Sequence, residues 1–211
     1  LFRSDGNDST NTRRGHVRVY DYSNGSWSQL GSDIDSENAE DQSGTSVAMN
    51  SSGTRIAIGA PFNDGNDTYS GHVRVYDWNG SSWTQLGSDI DGESTYDFSG
   101  TSVAMDENGN RIAIGASGNS GSSGHVRVYD YMNSSWNRVG DDIDGEAIND
   151  QSGSSVAMSS DGTIIAIGAD NNGNVSGHVR VYEYSLHPEP ESEPESEPES
   201  EPEPEPEQEY E

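Results

Sequence analysis

Apolar residues in this chain fall in short runs between polar, glycine-rich segments, and the runs return on a regular period. The clearest run is Gly-His-Val-Arg-Val-Tyr, which begins at Gly15, Gly71, Gly124 and Gly177 with spacings of 56, 53 and 53 residues. Self-similarity at a period of this length is typical of solenoids, propellers and related arrays. The pattern therefore predicts a repeat architecture.

Further blocks follow the first one in the same order in each repeat. They are a tryptophan (Trp27, Trp83, Trp136), Asp-Ile-Asp (from Asp33, Asp89, Asp142), Ser-Gly-Thr/Ser-Ser-Val-Ala-Met (from Ser43, Ser99, Ser152) and Ile-Ala-Ile-Gly-Ala (from Ile56, Ile112, Ile165). Five blocks in one fixed order are not a chance similarity.

The blocks have the composition of short strands. In the second repeat, residues 45–49 and 56–60 are brief apolar runs separated by the turn sequence Asn-Ser-Ser-Gly. Residues 72–77 are rich in β-formers, with Val73 and Val75 on one face of the strand. A second turn leads to a fourth strand at 83–86, and no stretch shows helical periodicity.

Four antiparallel strands repeated every ~53 residues are typical of a β-propeller blade, which buries its faces by stacking on its neighbours. We predict an all-β fold made of such blades, a partial propeller of about three blade equivalents within residues 1–184. The blades are expected at 15–30 (partial), 43–86, 99–139 and 152–184 (partial). An open arc leaves sheet edges and a blade face uncovered, so we expect either missing blades from the rest of a longer chain or self-association.

The net charge argues against two classes of binding partner, nucleic acids and anionic membranes. Acidic residues number 38 against 10 basic residues, all of them arginine, for a net charge of -28. Such a polyanion is unsuited to nucleic acid or to an anionic membrane surface. The chain has no cysteine, and no apolar run is long enough for a membrane-spanning helix, so direct membrane insertion is not expected. Acidity without lysine suits an extracellular or cell-surface setting.

The last segment, residues 185–211, differs from the repeats. Within it, residues 188–211 alternate proline, glutamate and serine and carry 12 of the glutamates with no basic residue. Proline blocks regular structure and like charges repel, so we predict a disordered acidic tail that acts as a linker or stalk.

The repeat resembles the FG-GAP repeat, the blade unit of integrin alpha-chain propellers. The resemblance rests on Phe98-Ser-Gly and on Gly59-Ala-Pro, with weaker versions of both in the other copies, and it spans residues 15–184. It implies propeller blades and an extracellular binding role. Many FG-GAP blades carry a calcium loop between their first two strands, and the matching loop here retains Asp106 but lacks the later acidic residues.

A second calcium candidate follows from the Asp-Ile-Asp blocks. Each places two aspartates on one face of an extended segment, followed by a glutamate and a further aspartate, so that several carboxylates lie within nine residues. The candidate ligands are Asp89, Asp91, Glu93 and Asp97 in one copy and Asp142, Asp144, Glu146 and Asp150 in the next. The alternative is an inter-blade turn, in which aspartates accept backbone amides and pair with the repeated arginines at Arg74 and Arg127.

The repeated histidines and tryptophans are interpreted as structural. His16, His72, His125 and His178 fall on different blades, so we do not expect them to converge on one metal. The tryptophans are expected to pack blades rather than to form sugar platforms.

Neither a nucleophile elbow nor a phosphate-binding loop is present, and repetition argues against a unique active site, so we expect no enzyme. The predicted function is a non-catalytic binding or adhesion module that presents loops differing between blades, such as 61–70 and 117–123, to a protein or glycan at the cell surface. A lectin-like propeller and the accessory region of a larger secreted hydrolase are the alternatives.

Overall fold

The computed structural model describes residues 2–4 as backbone, and residues 13–172 and 176–184 in full. The predicted acidic tail, 185–211, lies outside the described residues. The strands are β1 (Phe2–Ser4), β2 (His16–Arg18), β3 (Tyr20–Ser23), β4 (Ser26–Gln29), β5 (Ile34–Asp35), β6 (Ser46–Met49), β7 (Arg55–Ala60), β8 (His72–Trp78), β9 (Trp83–Gln85), β10 (Ile90–Asp91), β11 (Ser99–Met105), β12 (Arg111–Ala116), β13 (His125–Met132), β14 (Ser135–Asp144), β15 (Ser152–Met158), β16 (Ile164–Ala169) and β17 (His178–Glu183).

The strands form antiparallel sheets, one for each repeat. Sheet 3 has the simplest order, β11-β12-β13-β14; sheet 2 has the order β6-β7-β8, with β9 and β10 both paired to β8; and sheet 4 is β15-β16-β17. Sheet 1 is β1-β2-β5, continued by the hairpin β3-β4. The all-β prediction is confirmed, and the fold is propeller-like.

Helix contributes little to this fold. The helical segment α1 (Asn119–Ser122) is a single irregular turn between β12 and β13. None of the helical structure in the described ranges is long and apolar enough to cross a membrane.

The structure extends two of the predicted elements. In sheet 3 the fourth strand does not stop at Val139 but continues through the Asp-Ile-Asp block to the end of β14, whereas in sheet 2 that block forms the separate strand β10 after β9 has ended at Gln85. In the first repeat, β1 pairs with β2 in the same register as β7 with β8. Phe2 is opposite Arg18 in the first pair, and Ile58 is opposite the equivalent Arg74 in the second. Residues 2–4 therefore fill the position of a second strand in sheet 1.

The core lies between sheets. Val126 of sheet 3 packs in one cluster with Ile165 and Ile167 of sheet 4, and Val73 of sheet 2 packs in the same way with Ile112 of sheet 3. Each inner sheet is thus covered on both faces, and the strand β8 is buried from His72 to Tyr76 on both its apolar and its polar side. This mode of packing explains how a chain with few large apolar residues builds a core.

The last sheet has one face uncovered within the described residues. Val179 and Val181 are 67% and 65% exposed, whereas the equivalent Val126 and Val128 are 0% and 7% exposed. The local sequence around both pairs is the same, so burial depends on whether a following sheet is present.

The repeated tryptophan connects neighbouring sheets. The indole N–H of Trp83 donates to the carbonyl of Leu30 at 2.9 Å, and that of Trp136 donates to the carbonyl of Leu86 at 3.0 Å. Both side chains also pack against the apolar clusters between sheets. Trp27, which has no preceding sheet among the described residues, is 61% exposed. The repeated tryptophan therefore packs against the preceding sheet where one is present, which explains why Trp27 is exposed and Trp83 and Trp136 are partly buried.

Replacement of Trp136 by Phe is expected to destabilise the chain by about 1–2 kcal/mol, because the Leu86 carbonyl loses its partner in a half-buried site. Urea unfolding followed by circular dichroism measures this free energy. The matched change Trp27→Phe alters an exposed side chain and is expected to stay within about 0.5 kcal/mol. Equal losses in the two variants would contradict the packing role.

Candidate functional site

Strand register brings the repeated histidine next to the repeated aspartates. Asp91 pairs with His72 across β10 and β8, and Asp144 pairs with His125 across β14 and β13. In sheet 1, Asp35 pairs with His16 in the same way. The histidine and the Asp-Ile-Asp block therefore meet at one end of each of these sheets.

The preceding repeat contributes an acidic residue to the same place. Glu37 lies 3.5 Å from a guanidinium nitrogen of Arg74, Glu93 pairs with Arg127, and Glu146 lies 3.8 Å from Arg180. Each of these three contacts thus joins an arginine of one sheet to a glutamate from the connection before it, and so lies between repeats. Within the described residues, three groups of one histidine and two carboxylates have ligand atoms within 4.8 Å of one another: His16, Asp33 and Asp35, all from the first repeat; Glu37, His72 and Asp89; and Glu93, His125 and Asp142.

In two of these groups the arginine neutralises the first aspartate. Arg127 donates from Nε and Nη2 to the two carboxylate oxygens of Asp142, both at 2.7 Å, and pairs with Glu93 as well. Arg18 binds Asp33 in a similar fashion, with Nε at 3.0 Å from each oxygen. These ion pairs lower the pKa of Asp142 and that of Asp33, because the guanidinium favours the charged carboxylate.

The group in sheet 2 is arranged differently. Arg74 donates to the backbone carbonyl of Asp35 at 2.8 Å, and the structure shows no ion pair between Arg74 and Asp89 in the described residues. Asp89 instead accepts a hydrogen bond from Gln85 at 2.6 Å, and its other oxygen lies 3.7 Å from Nδ1 of His72. Oxygens of Glu37 and Asp91 each lie 4.0 Å from the same nitrogen. The sheet 2 group is therefore an open set of carboxylates around one imidazole.

Burial sets the protonation of this group. The pKa of His72 is lowered to about 4, first by burial and then by the positive charge of Arg74. The pKa of Asp91 is raised, by burial and by the charge of Asp89. At neutral pH the imidazole is thus uncharged and keeps a lone pair, which is the form that can bind a metal.

The predicted calcium ligands are not gathered at one point in either copy. Asp97 is buried in the turn, where its carboxylate accepts hydrogen bonds from the backbone amides of Glu93 and Ser94. Asp150 likewise accepts a hydrogen bond from the backbone amide of Ala147. Glu93 and Glu146 reach toward the arginine of the following sheet, while Asp91, Asp142 and Asp144 lie on β10 and β14 of their own sheets and Asp89 immediately precedes β10. The turn-and-arginine alternative accounts for Asp97, Asp150, Glu93 and Asp142.

Asp106 serves the hairpin between β11 and β12. It is buried, and its carboxylate accepts the backbone amide of Arg111 at 2.7 Å and that of Asn108 at 3.3 Å. Asn50 holds the equivalent turn in sheet 2 by accepting the amides of Thr54 and Arg55. An aspartate at this position has a structural role in the hairpin that needs no ion.

Sequence reasoning missed Glu37 and His72 as members of one group. The signal was present, since a histidine at the start of a third strand is opposite an aspartate at the end of an antiparallel fourth strand. The fourth strand was predicted to end before the Asp-Ile-Asp block, which hid this pairing.

An aromatic cluster occupies the loops at the same end of the sheets. Phe62 and Tyr69, from the loop between β7 and β8, contact Tyr96 and Phe98, from the connection between β10 and β11, with ring centroids 5.3–6.4 Å apart. Tyr96 is 53% exposed. A groove of about 510 Å³ runs beside it, lined by residues 93–98 and 118–122. The cluster and the groove form the aromatic patch.

The aromatic patch occurs in one repeat only among the described residues. The positions of Tyr96 and Phe98 hold Asn149 and Gln151 in the next copy. The backbone φ angle is positive at these two positions in both copies: 64° at Tyr96, 54° at Phe98, and also positive at Asn149 and Gln151. A left-handed conformation suits asparagine better than an aromatic residue, so the aromatic pair carries backbone strain that the fold does not require.

Comparisons with known proteins inform the fold alone. No family model matches the chain, and no curated protein matches it. Among solved structures it is similar to a complex of KlAtg21 with the coiled coil of AgAtg16, with a TM-score of 0.55 and 12% identity over 83% of this chain and 48% of the other. It is also similar to Kuenenia stuttgartiensis hydrazine synthase, with a TM-score of 0.53 and 17% identity over 82% of this chain and 53% of the other. The chain spans about half the length of these solved chains.

Proposed function

We propose that the chain is a non-catalytic binding module of FG-GAP-like propeller blades, which recognises a protein ligand in an extracellular or cell-surface setting. The observation that carries the proposal is the aromatic patch, a set of four rings that the described residues show in one repeat of an otherwise repeated scaffold. Binding surfaces are enriched in tyrosine and phenylalanine because these rings bury a large area with little loss of side-chain freedom.

The scaffold supports presentation of loops at one end. Since the strands alternate in direction, the loop between the second and third strands and the connection to the next sheet lie at the same end. Strand register is constant there, with Ala60 opposite His72, Ala116 opposite His125 and Ala169 opposite His178. The loops between these pairs differ, since residues 61–71 form a longer segment than 117–124. Variation at this end therefore leaves the sheets unchanged.

The uncovered sheet faces favour further blades as partners. Val179 and Val181 present the same apolar pair that Ile165 and Ile167 cover on sheet 3. A further repeat of the same sequence, from the rest of a longer chain, would carry the matching isoleucines, whereas in a second copy of this chain the isoleucine pairs already pack against the sheet before them. In this proposal the module is one part of a propeller that is completed by such units.

We expect Tyr96→Ala to weaken ligand binding at least tenfold, about 1.4 kcal/mol, because Tyr96 is the most exposed ring of the aromatic patch. The measurement uses the biotinylated chain, tetramerised on streptavidin, on surfaces coated with fibronectin, laminin or collagen, and in parallel on a glycan array. Saturable binding to a protein coat that Tyr96→Ala removes supports the proposal.

Tyr22→Ala is the matched control. Tyr22 is 59% exposed on the β3-β4 hairpin, at the opposite end of the sheets, and its loss should leave binding unchanged. Binding to none of the protein coats, or equal loss in both variants, would contradict the proposal. Binding to glycans alone would favour the lectin alternative instead.

A further inference from the structure

We propose that His72, Glu37 and Asp89 form a binding site for one divalent transition-metal ion between sheets 1 and 2. The imidazole Nδ1 of His72 lies 3.7 Å from a carboxylate oxygen of Asp89 and 4.0 Å from one of Glu37, with Asp91 also at 4.0 Å. Donor atoms around a zinc ion with bonds of about 2.1 Å lie ~3.4 Å apart. The donor atoms of His72, Glu37 and Asp89 lie within 4.8 Å of one another, so the group must contract when the ion binds. The site is distinct from the aromatic patch and does not depend on the proposed function.

The donor set decides the class of ion. Calcium takes oxygen ligands almost exclusively, whereas imidazole nitrogen suits zinc and its neighbours in the first transition row. A set of one imidazole and two or three carboxylates is therefore better matched to zinc or manganese than to calcium. This differs from the calcium sites expected from the Asp-Ile-Asp pattern, because the histidine is a ligand and Glu93 and Asp97 are not.

The burial of His72 is a second observation that points to a ligand. Its side chain is 1% exposed, and neither ring nitrogen has a hydrogen-bond partner in the part of the chain that the structure describes. A buried polar group without a partner is costly, by about 1–3 kcal/mol. An ion held between Nδ1 and the three surrounding carboxylates would satisfy the nitrogen that faces them.

Comparison with the equivalent group in sheet 3 shows why we propose a metal site in sheet 2 and not there. In sheet 3, Arg127 occupies both oxygens of Asp142 and also pairs with Glu93, so these carboxylates are already neutralised. In sheet 2, Glu37 is the one carboxylate of the group that pairs with Arg74 in the described structure, through the oxygen other than the one within 4.0 Å of His72, and Asp89 has no arginine partner there. The remaining carboxylates carry a net negative charge that a divalent cation balances.

The site is also accessible. The Glu37 and Asp89 side chains are 42% and 29% exposed, so an ion can enter from solvent past the glutamate. Arg74 would then act as a positioning residue, because it holds Glu37 with one oxygen turned toward the imidazole.

The test is a calorimetric titration of the full chain, prepared without a histidine tag, with zinc chloride, manganese chloride and calcium chloride separately. We expect one zinc ion per chain and a zinc-dependent rise in the thermal midpoint. His72→Gln and Glu37→Gln should each lower the zinc affinity at least tenfold. Glu37 is half-exposed, so its variant tests the site even where removal of the buried histidine perturbs folding.

The equivalent changes one repeat further along are the controls. His125→Gln and Glu93→Gln should leave the zinc affinity unchanged, because Arg127 already pairs with the carboxylates of Asp142 and Glu93 in that group. The proposal is overturned by no zinc binding, by zinc binding that His72→Gln and Glu37→Gln leave intact, by equal losses in the control variants, or by calcium binding with the affinity of zinc.

Discussion

The variant Val126→Asp is expected to abolish cooperative folding. Val126 is fully buried against Ile165 and Ile167 of the following sheet, and a carboxylate there has no partner in the described structure. A charge buried without a partner costs more than about 4 kcal/mol, a large part of the stability of a domain of this size. Circular dichroism and urea unfolding measure the loss directly.

Val179→Asp is the matched control, because the residue has the same neighbours in sequence but is 67% exposed. At low protein concentration its effect should stay within about 0.5 kcal/mol. A similar loss in both variants would mean that the stacking of one sheet on the next does not decide the burial of this valine.

Gly115→Ala is expected to destabilise the chain by about 2–3 kcal/mol. A Cβ at this position would lie 2.1 Å from the carbonyl oxygen of Gly153 in the next sheet, and that oxygen also accepts a hydrogen bond from Ser102 at 2.7 Å. Because the obstructing atom belongs to the backbone, the sheets must separate to make room. The same contact is present one repeat earlier, where a Cβ at Gly59 would lie 2.1 Å from the carbonyl oxygen of Gly100.

Gly168→Ala tests this explanation. Gly168 is the same residue of the repeat in the last sheet, and the nearest atom to an added Cβ is the hydroxyl of Ser155, at 2.3 Å, which can rotate away. We expect a loss below about 1 kcal/mol, from thermal or urea unfolding. If Gly115→Ala lowered the free energy of unfolding as little as Gly168→Ala, the explanation that neighbouring sheets approach closely at Gly115 would be contradicted.

Much of the fold could be predicted from the sequence because repetition removes ambiguity. A single segment such as Ile-Ala-Ile-Gly-Ala is too short to distinguish strand from helix, but its recurrence beside a Gly-containing turn identifies an antiparallel pair. The strands β7, β8 and β9 begin within one residue of the predicted positions. Stacking of repeats also follows from the sequence, since an isolated sheet of this composition cannot bury its apolar face.

The candidate site was harder to predict, because it depends on contacts between repeats. Glu37 comes from one repeat and His72 from the next, and nothing in the spacing of either block shows that they meet. The arrangement of the arginines is harder still to predict. Arg74 and Arg127 occupy the same place in the same hexapeptide, yet one binds a backbone carbonyl and the other an aspartate. The hydrogen-bond partner of each arginine is therefore determined by the surrounding packing and not by the local sequence.

Hydrogen exchange at the second strand of each repeat tests the central claim, that successive sheets stabilise one another by stacking. The strands β7, β12 and β16 are each hydrogen-bonded on both edges, so their local pairing is equivalent. They differ in that β7 and β12 are covered by a following sheet, while Ile164 at the start of β16 is 42% exposed. The account predicts slower exchange for residues 55–60 and 111–116 than for residues 164–169. Equal exchange in all three strands, or slowest exchange in β16, would contradict it.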